Sequence, residues 1–471
     1  MKICIIAEGS YPYVTGGVSS WIQMLMNNMK EHEFIIYSIC AEDKQIGNYK
    51  YEFPDNVVEI KEVSLEAAIR RRPKWGKKLK FTEDEKKLLH DFIIGKTLGG
   101  RSFFDFVTKY KDISSEETLM SRDFYNLIKE ICQDKFTHIS FTDYFWNVRS
   151  IIITLLEVLK NDIPEADIYH SVSTGYSGVI AAYGKYLYGS KFLLTEHGIY
   201  SREREEEIIK STWVKGYFKE TWINYFHCLS KCAYESADKV VSLYNGARDI
   251  QIELGCNEKK TEVIANGISI DDYTNVTEKS EEEKDVINVG SVLRVVPIKD
   301  VKTILQAFAY ANEYVKNLKF YIMGPTEEDE EYMKECLELV RYLKLDNVVF
   351  TGKINVKEYI GRMDILVLGS ISEGQPISIL EGMAVKKPHI ATNVGSCSEL
   401  LWGANDGIGK AGIIVPIMNY KVLGGSIVKL ANNGPLRREY GRNAFRRVSR
   451  TYTFDNFIGG YKRLYNELMG V

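Results

Sequence analysis

No apolar run in this chain approaches the roughly 20 residues a membrane-spanning helix needs, so no span is expected. The opening stretch MKICIIAEGS holds one lysine and a short apolar run that leads directly into a loop. It is too short for the apolar core of a secretion signal. No Cys-x-x-Cys pair occurs among the eight cysteines, which removes the usual spacing of zinc and dithiol sites. Cys228 and Cys232, with His227 beside them, could share one helix face as metal ligands. Without a second pair they read as core residues. Free cysteines with apolar flanks suit a reducing compartment. The expectation is a cytoplasmic protein, associated with a membrane only through a partner. No basic excess exists either: 61 Lys and Arg against 64 Asp and Glu leave a net charge of -3. A nucleic-acid partner is therefore not expected. Short repeats and low-complexity segments are absent.

What is present is a long, ordinary globular composition. The chain has 471 residues, 45% hydrophobic and 27% charged, too long for one core and suited to two domains. KICIIAE is a short apolar run of the kind buried on both faces of a parallel sheet. A glycine-bearing loop, GSYPYVTGG, follows it, then a helical pattern and a second strand, FIIYSIC. Residues 61–165 show charged helical patterns and aromatics and read as a helical insertion. Strand and helix then alternate again up to TEVIANGI. Thr274–Asp285 is polar and charged, the best linker candidate. Alternation restarts immediately with VINVGSV and continues through LKFYIMG, NVVFTG, DILVLGS and PHIATNV. Such alternation means right-handed βαβ units and parallel sheets. The predicted architecture is α/β: two doubly wound, Rossmann-like domains. The first covers 1–273, completed by a C-terminal helix at about 452–471, and the second covers 274–451. One further feature is RRRPKWGKKLK, Arg70–Lys80, with seven basic residues in eleven. It reads as a solvated face or as a contact for an anionic partner.

Ligands of parallel α/β sheets sit beyond the carboxyl ends of the strands. Four loops at that edge carry chemistry. In NVGSVLRVVPIKD, Arg294 and Lys299 suit a diphosphate, one as a planar fork and the other as a point charge; alone they equally suit a plain surface. In SEGQPISILE, Pro376 fits the first helical position. The helix start at Pro376 and Ile377 then aims free N–H groups outward as an anion site. Gly374 and Gln375 bring backbone N–H groups close. Glu381 lies five residues beyond Pro376, about 7–8 Å along the axis at about 1.5 Å per residue, in reach of a ribose. Glu373, in the turn, lies where a sugar ring would sit. In isolation, the same two carboxylates also fit an ordinary solvent-facing helix. The other loops are LLTEHGIY, where His197 directly follows a strand, and YVTGGVSS, where Gly16 and Gly17 precede a helix. A structural histidine and a plain turn remain open for these.

Together these residues resemble the retaining glycosyltransferases of family 4, which have the GT-B fold. Glu373 to Glu381 is similar to that family's Glu-x7-Glu motif, Arg294 and Lys299 to its donor-diphosphate pair, His197 to its first-domain histidine, and Gly16 and Gly17 to its acceptor-side glycine loop. The blocks EGSYPYVTGGVSSW, TEHGIYSRER, RVVPIKDVKT and SISEGQPISILEGMA resemble more narrowly the PelF-like branch, cytosolic enzymes of Pel exopolysaccharide synthesis. The resemblance implies two domains facing across a cleft and a UDP-sugar donor. It also implies a growing glycan as acceptor, retention at the anomeric carbon, and a possible membrane-embedded synthase complex as partner. It implies no cofactor and no catalytic metal, and no Asp-x-Asp occurs in the chain. His197, Arg294, Lys299 and Glu373 would be catalytic, with Glu381 holding the ribose. One departure is Asp300, where many members place glycine after the lysine. The competing readings are a non-catalytic scaffold of a synthase complex, a UDP-sugar epimerase, and a paired-carboxylate glycoside hydrolase. The last leaves Arg294 and Lys299 unexplained.

Overall fold

The computed structural model describes residues 1–66 and 79–471. Most of the basic run Arg70–Lys80 therefore lies outside the described residues. The chain divides into two compact units. The first comprises Met1–Ser242, Ala247–Val263 and Lys462–Val471, and the second Leu243–Gly246 and Ile264–Tyr461. The first unit ends at Val263, before the polar stretch 274–285, because the intervening residues are tied to the second. Ile268 donates its N–H to the Tyr452 carbonyl and accepts from Phe454 N–H, both at 3.0 Å.

In the first unit the strands are β1 (Lys2–Glu8), β2 (Glu33–Cys40), β3 (Val57–Ser64), β4 (Ile168–Ser171), β5 (Lys191–Glu196), β6 (Lys239–Ser242) and β7 (Thr261–Val263). They form one sheet in the order β3-β2-β1-β4-β5-β6-β7, parallel throughout. β1 is buried from Ile3 to Ala7, as a strand covered by helices on both faces must be. Between β3 and β4 the described chain runs through helices Glu83–Ile93, Arg101–Lys109, Ser115–Leu119, Arg122–Lys135 and Phe141–Lys160. Their apolar faces join the sheet in one core through Phe103, Phe124, Tyr144 and Leu155. The last ten residues also belong here. Tyr465 OH lies 2.7 Å from Nδ1 of His170 on β4, and Thr195 Oγ1 lies 2.8 Å from its Nε2.

The second unit holds β8 (Ile287–Val292), β9 (Leu318–Met323), β10 (Val348–Gly352), β11 (Ile365–Leu368), β12 (His389–Thr392) and β13 (Gly412–Val415). Their order is β10-β9-β8-β11-β12-β13, again parallel. Each sheet reverses direction of growth once, beside β1 and beside β8. Loops leaving the strands at such a switch point form the crevice where doubly wound sheets bind ligands. In the second unit those loops are the ones after β8 and β11.

Candidate active site

The loop after β8 reaches Lys299 through a tight turn, Pro297–Lys299, and ends at Asp300. Asp300 adopts a left-handed conformation, φ 46° and ψ 51°, a region that favours glycine. An aspartate is tolerated because its short side chain bonds locally. Here Asp300 Oδ1 accepts from Thr303 N–H at 3.3 Å and caps helix Val301–Tyr314. Asp300 thus combines a left-handed turn with a helix cap that a glycine could not supply.

The loop after β11 is joined to that loop, Ile371 N–H donating to the Ile298 carbonyl at 2.9 Å. The junction brings Lys299 and Glu373 together. Lys299 Nζ lies 2.6 Å from Glu373 Oε1, and both side chains are mostly buried. Ser370 Oγ donates to the same oxygen at 2.6 Å, and Thr392 Oγ1 donates to the Ser370 carbonyl at 2.6 Å. The Glu373 carboxylate is thus held from β8, β11 and β12 at once. Gly395, in the loop after β12, has φ 51°, and a Cβ there would stand 2.2 Å from the Glu373 carbonyl oxygen. Only glycine lets the two loops approach this closely.

Helix Ile377–Ala384 follows. Pro376 occupies its N-cap, with φ -73° and ψ 114°. The expected first helical position falls instead on Ile377, one residue on. The extended ψ at Pro376 delays the helix, and Ile379 N–H closes a short turn onto the Pro376 carbonyl at 3.2 Å. No side chain caps this start, whereas side chains cap the helices beginning at Val301, Glu330, Tyr420 and Gly434. Ile379, Leu380 and Met383 are fully buried and anchor the helix; each contributes on the order of 2 kcal/mol. Glu381 leaves that apolar face on the flank. Its Oε1 accepts from Tyr273 OH at 2.8 Å, and Lys357 Nζ stands 5.2 Å from the Tyr273 ring centroid. Burial raises the Glu381 pKa, against the pull of the Tyr273 hydroxyl and of Lys357.

The Gln375 side chain and the expected diphosphate ligand Arg294 are both turned to the chain itself. Gln375 is buried, and its Oε1 accepts from Asn266 N–H at 2.6 Å; its Nε2 has no partner among the described residues. Arg294 is half exposed and pairs with Glu328 at 2.7 Å.

In the first unit, Gly16 is the extended N-cap of helix Gly17–Asn27, which no side chain caps. A Cβ on Gly16 or Gly17 would meet nothing within 4 Å, so the chain's own packing does not demand glycine at either. His197 follows β5 directly. Its ring packs edge-on against Trp21, 4.7 Å between centroids, and its Nε2 has no partner among the described residues. Burial pulls its pKa down to about 4, so the imidazole is neutral near neutrality. The same sheet edge holds two carboxylates that sequence reasoning passed over, Glu8 partly buried and Glu196 buried. Glu8, the last residue of β1, accepts from Tyr200 OH at 2.9 Å and Ser177 N–H at 3.3 Å. Glu196, the last of β5, accepts from Tyr234 OH at 2.6 Å and Gln251 Nε2 at 3.0 Å. Burial raises both pKa values. A carboxylate closing an apolar strand just before a loop was the signal for each.

Among the described residues no group of three or more His, Cys, Asp or Glu is placed to hold a metal ion. Cys228 and Cys232 are buried, their thiols pushed up to about 11 and about 12, chiefly by desolvation. No helix among the described residues is long and apolar enough to cross a membrane.

Two parallel-sheet α/β units, with a charged switch-point loop in the second, define the doubly wound class of fold. Comparison with known proteins narrows it. Residues 1–259 match the family described as a domain of unknown function (DUF3492), and residues 269–447 match glycosyl transferases group 1. The chain belongs to the DUF3492 family through its first half and carries a glycosyl transferases group 1 domain in its second, on the GT-B fold. An uncharacterized glycosyltransferase of Methanocaldococcus jannaschii, MJ1069, is 24% identical over 52% of this chain and 63% of its own length, less than two thirds of that relative. The UDP-Gal:alpha-D-GlcNAc-diphosphoundecaprenol alpha-1,3-galactosyltransferase of Escherichia coli is 24% identical over 54% of this chain and 65% of its own. Among solved structures, Anabaena Alr3699/HepE in complex with UDP is similar with a TM-score of 0.63 and 14% identity, covering 99% of this chain and 100% of that one.

Proposed function

We propose that this protein moves a hexose from a UDP-sugar to a growing exopolysaccharide glycan, with retention at the anomeric carbon, as in Pel-like synthesis. The observation that carries the proposal is the uncapped helix start at Pro376 and Ile377, with Glu373 in the turn before it and Glu381 in the helix's second turn. Departure of UDP develops negative charge on the diphosphate. With the donor bound, the helix start, Lys299 and Arg294 stabilise that charge, and groups already in place at the reaction step are where most catalytic advantage arises. Lys299 shifts from the Glu373 carboxylate to the diphosphate as the donor binds, and the freed carboxylate accepts from donor-sugar hydroxyls. Backbone N–H groups near Gly374 and Gln375 assist. Glu381, with one oxygen held by Tyr273, accepts from the ribose through the other. His197 offers Nε2 as a neutral hydrogen-bonding group. Gly16 and Gly17 let substrate approach the backbone on the acceptor side.

A same-face substitution, with the leaving phosphate taking the acceptor's proton, suits these groups and calls on no metal. The names of the Escherichia coli galactosyltransferase and of the UDP-bound Anabaena protein support a UDP-sugar donor. A capsular polysaccharide glycosyltransferase of Staphylococcus aureus, CapM, 26% identical over 44% of this chain and 54% of its own length, supports a polysaccharide product. The reaction is assigned to the cytoplasm, at a membrane-embedded synthase.

The deciding experiment is a panel of UDP-sugars scored by calorimetric binding and by UDP release, with and without glycan acceptor. Acceptor-stimulated UDP release is expected for one donor. Binding without release would mean a scaffold. Isomerised donor without acceptor would mean an epimerase.

A further inference from the structure

We propose that the first unit carries a glycan-binding platform centred on Trp146, distinct from the donor residues described above. Four aromatic rings there are open to solvent: Tyr125 and Trp146 at 42%, Tyr217 at 44% and Trp213 at 65%. They are not scattered. All are tied to the first half of helix Phe141–Lys160. Tyr125 packs on Phe141 and Phe145, with centroids 5.1 and 5.9 Å away. Tyr217 OH donates to Asp143 at 3.3 Å. Trp213 packs edge-on against Trp222 at 5.3 Å, and Trp222 in turn donates Nε1–H to Asn147 Oδ1 at 3.1 Å. Trp146 lies between these two groups on the helix.

Hydrogen-bond donors without a hydrogen-bonded acceptor lie on the same helix, at the two positions 147 and 149. Nδ2 of Asn147 and both Nε and Nη2 of Arg149 are shielded from solvent and have no partner among the described residues. The Arg149 guanidinium stands 5.4 Å from the Trp146 ring centroid. Shielded donors in folded proteins are nearly always paired, so a cluster of unpaired ones points to an absent partner. Local charge is balanced: Lys215 pairs with Asp143 at 3.0 Å, and the Glu116 carboxylate is the opposite charge acting on Arg149.

Exposed aromatic faces, donors in want of acceptors and balanced charge fit one ligand chemistry. A sugar chain presents apolar C–H faces for the rings and hydroxyl oxygens for the donors. A bilayer surface rich in anionic lipid calls instead for a surplus of cations. Donors swing to the hydroxyls by side-chain rotation, as is common on binding. The platform rests on the glycan-extending reading given above, since it would hold the chain being extended.

The test uses the full chain. Cellohexaose, maltohexaose and the hexamer of N-acetylglucosamine are titrated, with tryptophan fluorescence and calorimetry as readouts, and UDP binding is measured on the same samples. At least one hexasaccharide is expected to bind, about tenfold or more tighter than its monosaccharide, because several rings act together. Trp146→Ala is expected to weaken it about tenfold while UDP affinity stays unchanged. Should Trp146→Ala lower the thermal midpoint, Trp213→Ala serves in its place with the same expected loss. Failure of all three hexasaccharides to bind overturns the platform, as does equal binding by both variants and the parent. Trp146-dependent co-sedimentation with phosphatidylglycerol vesicles, without sugar binding, overturns it in favour of membrane docking. Sugar binding without any UDP binding supports the platform and counts against the transferase reading alone.

Discussion

The ammonium of Lys299 and the carboxylate of Glu373 stand 2.6 Å apart, 74 residues apart in the chain. The pair sets two mostly buried charges against each other, and the proposed diphosphate would divide them. Lys299→Ala is expected to lower kcat by about 10²–10³, the loss typical of one preorganised charge-stabilising donor. It is also expected to destabilise the fold by about 1–3 kcal/mol, because a mostly buried carboxylate loses its partner. Adding Glu373→Gln should restore much of the stability and none of the rate. Steady-state UDP release and urea unfolding on the two variants check both. A near-normal rate in Lys299→Ala would remove the residue from the leaving-group site.

Glu381 couples function to stability in opposite directions. Its folded-state pKa is raised above the ordinary 4.5, chiefly by burial. The folded state therefore binds more protons than the unfolded one just above that value. Its contribution is fully present below the ordinary pKa and is lost as pH rises through the raised one. Glu381→Gln should thus be at least as stable as the parent at about pH 7, and less favoured relative to it near pH 4. UDP affinity should fall all the same. Tyr273→Phe should weaken UDP binding less, since the carboxylate stays. Thermal midpoints across pH, with UDP calorimetry, test the pair, and unchanged UDP affinity in Glu381→Gln refutes the ribose role.

His197 is the converse case. Burial holds its pKa at about 4, below its unfolded value of about 6.5. Its stabilising contribution is present above about pH 6.5 and is lost as pH falls towards the folded value. Between about pH 6 and 8 the folded-state ring stays neutral, so activity in that range should owe none of its shape to this group. His197→Asn is expected to reduce transfer while leaving the form of the pH–rate profile intact. A shifted limb of the profile in the variant would show that His197 titrates in the working range.

Asp300 separates a cap from a conformation. Asp300→Ala loses the hydrogen bond to Thr303 N–H and places an ordinary residue at φ 46°. A loss of about 1–2 kcal/mol is expected. Asp300→Gly also loses the cap but relieves the backbone, and should fall within about 0.5 kcal/mol of the parent. Chemical denaturation distinguishes them, and equal losses would contradict the left-handed assignment.

The fold was largely legible because parallel strands buried on both faces read as unbroken apolar runs, as KICIIAE and DILVLGS do. The positions of the charged loops followed from the rule that strand ends at a switch point face the ligand. Pairings across the fold were not legible. Nothing local in the sequence says that Lys299 meets Glu373, or that Tyr273 reaches Glu381, 108 residues away. Such contacts depend on how neighbouring strands are ordered, which periodicity does not encode. The helix start shifted by one residue because proline fixes φ but leaves ψ free, and here ψ is extended. Glu8 and Glu196 had a readable signal, a carboxylate ending a buried strand, that motif-led reading outweighs.

The hydroxyl of Tyr465 against His170 has a practical bearing on dissecting the molecule. The first unit is not a contiguous stretch of chain, because its final segment is supplied from beyond the second. A fragment cut after Val263 would leave a fully buried imidazole without the phenol beside it, and an apolar seam uncovered. Such a half should be produced with Lys462–Val471 grafted back through a flexible linker, and its solubility with and without the graft reports how far the two units mature separately.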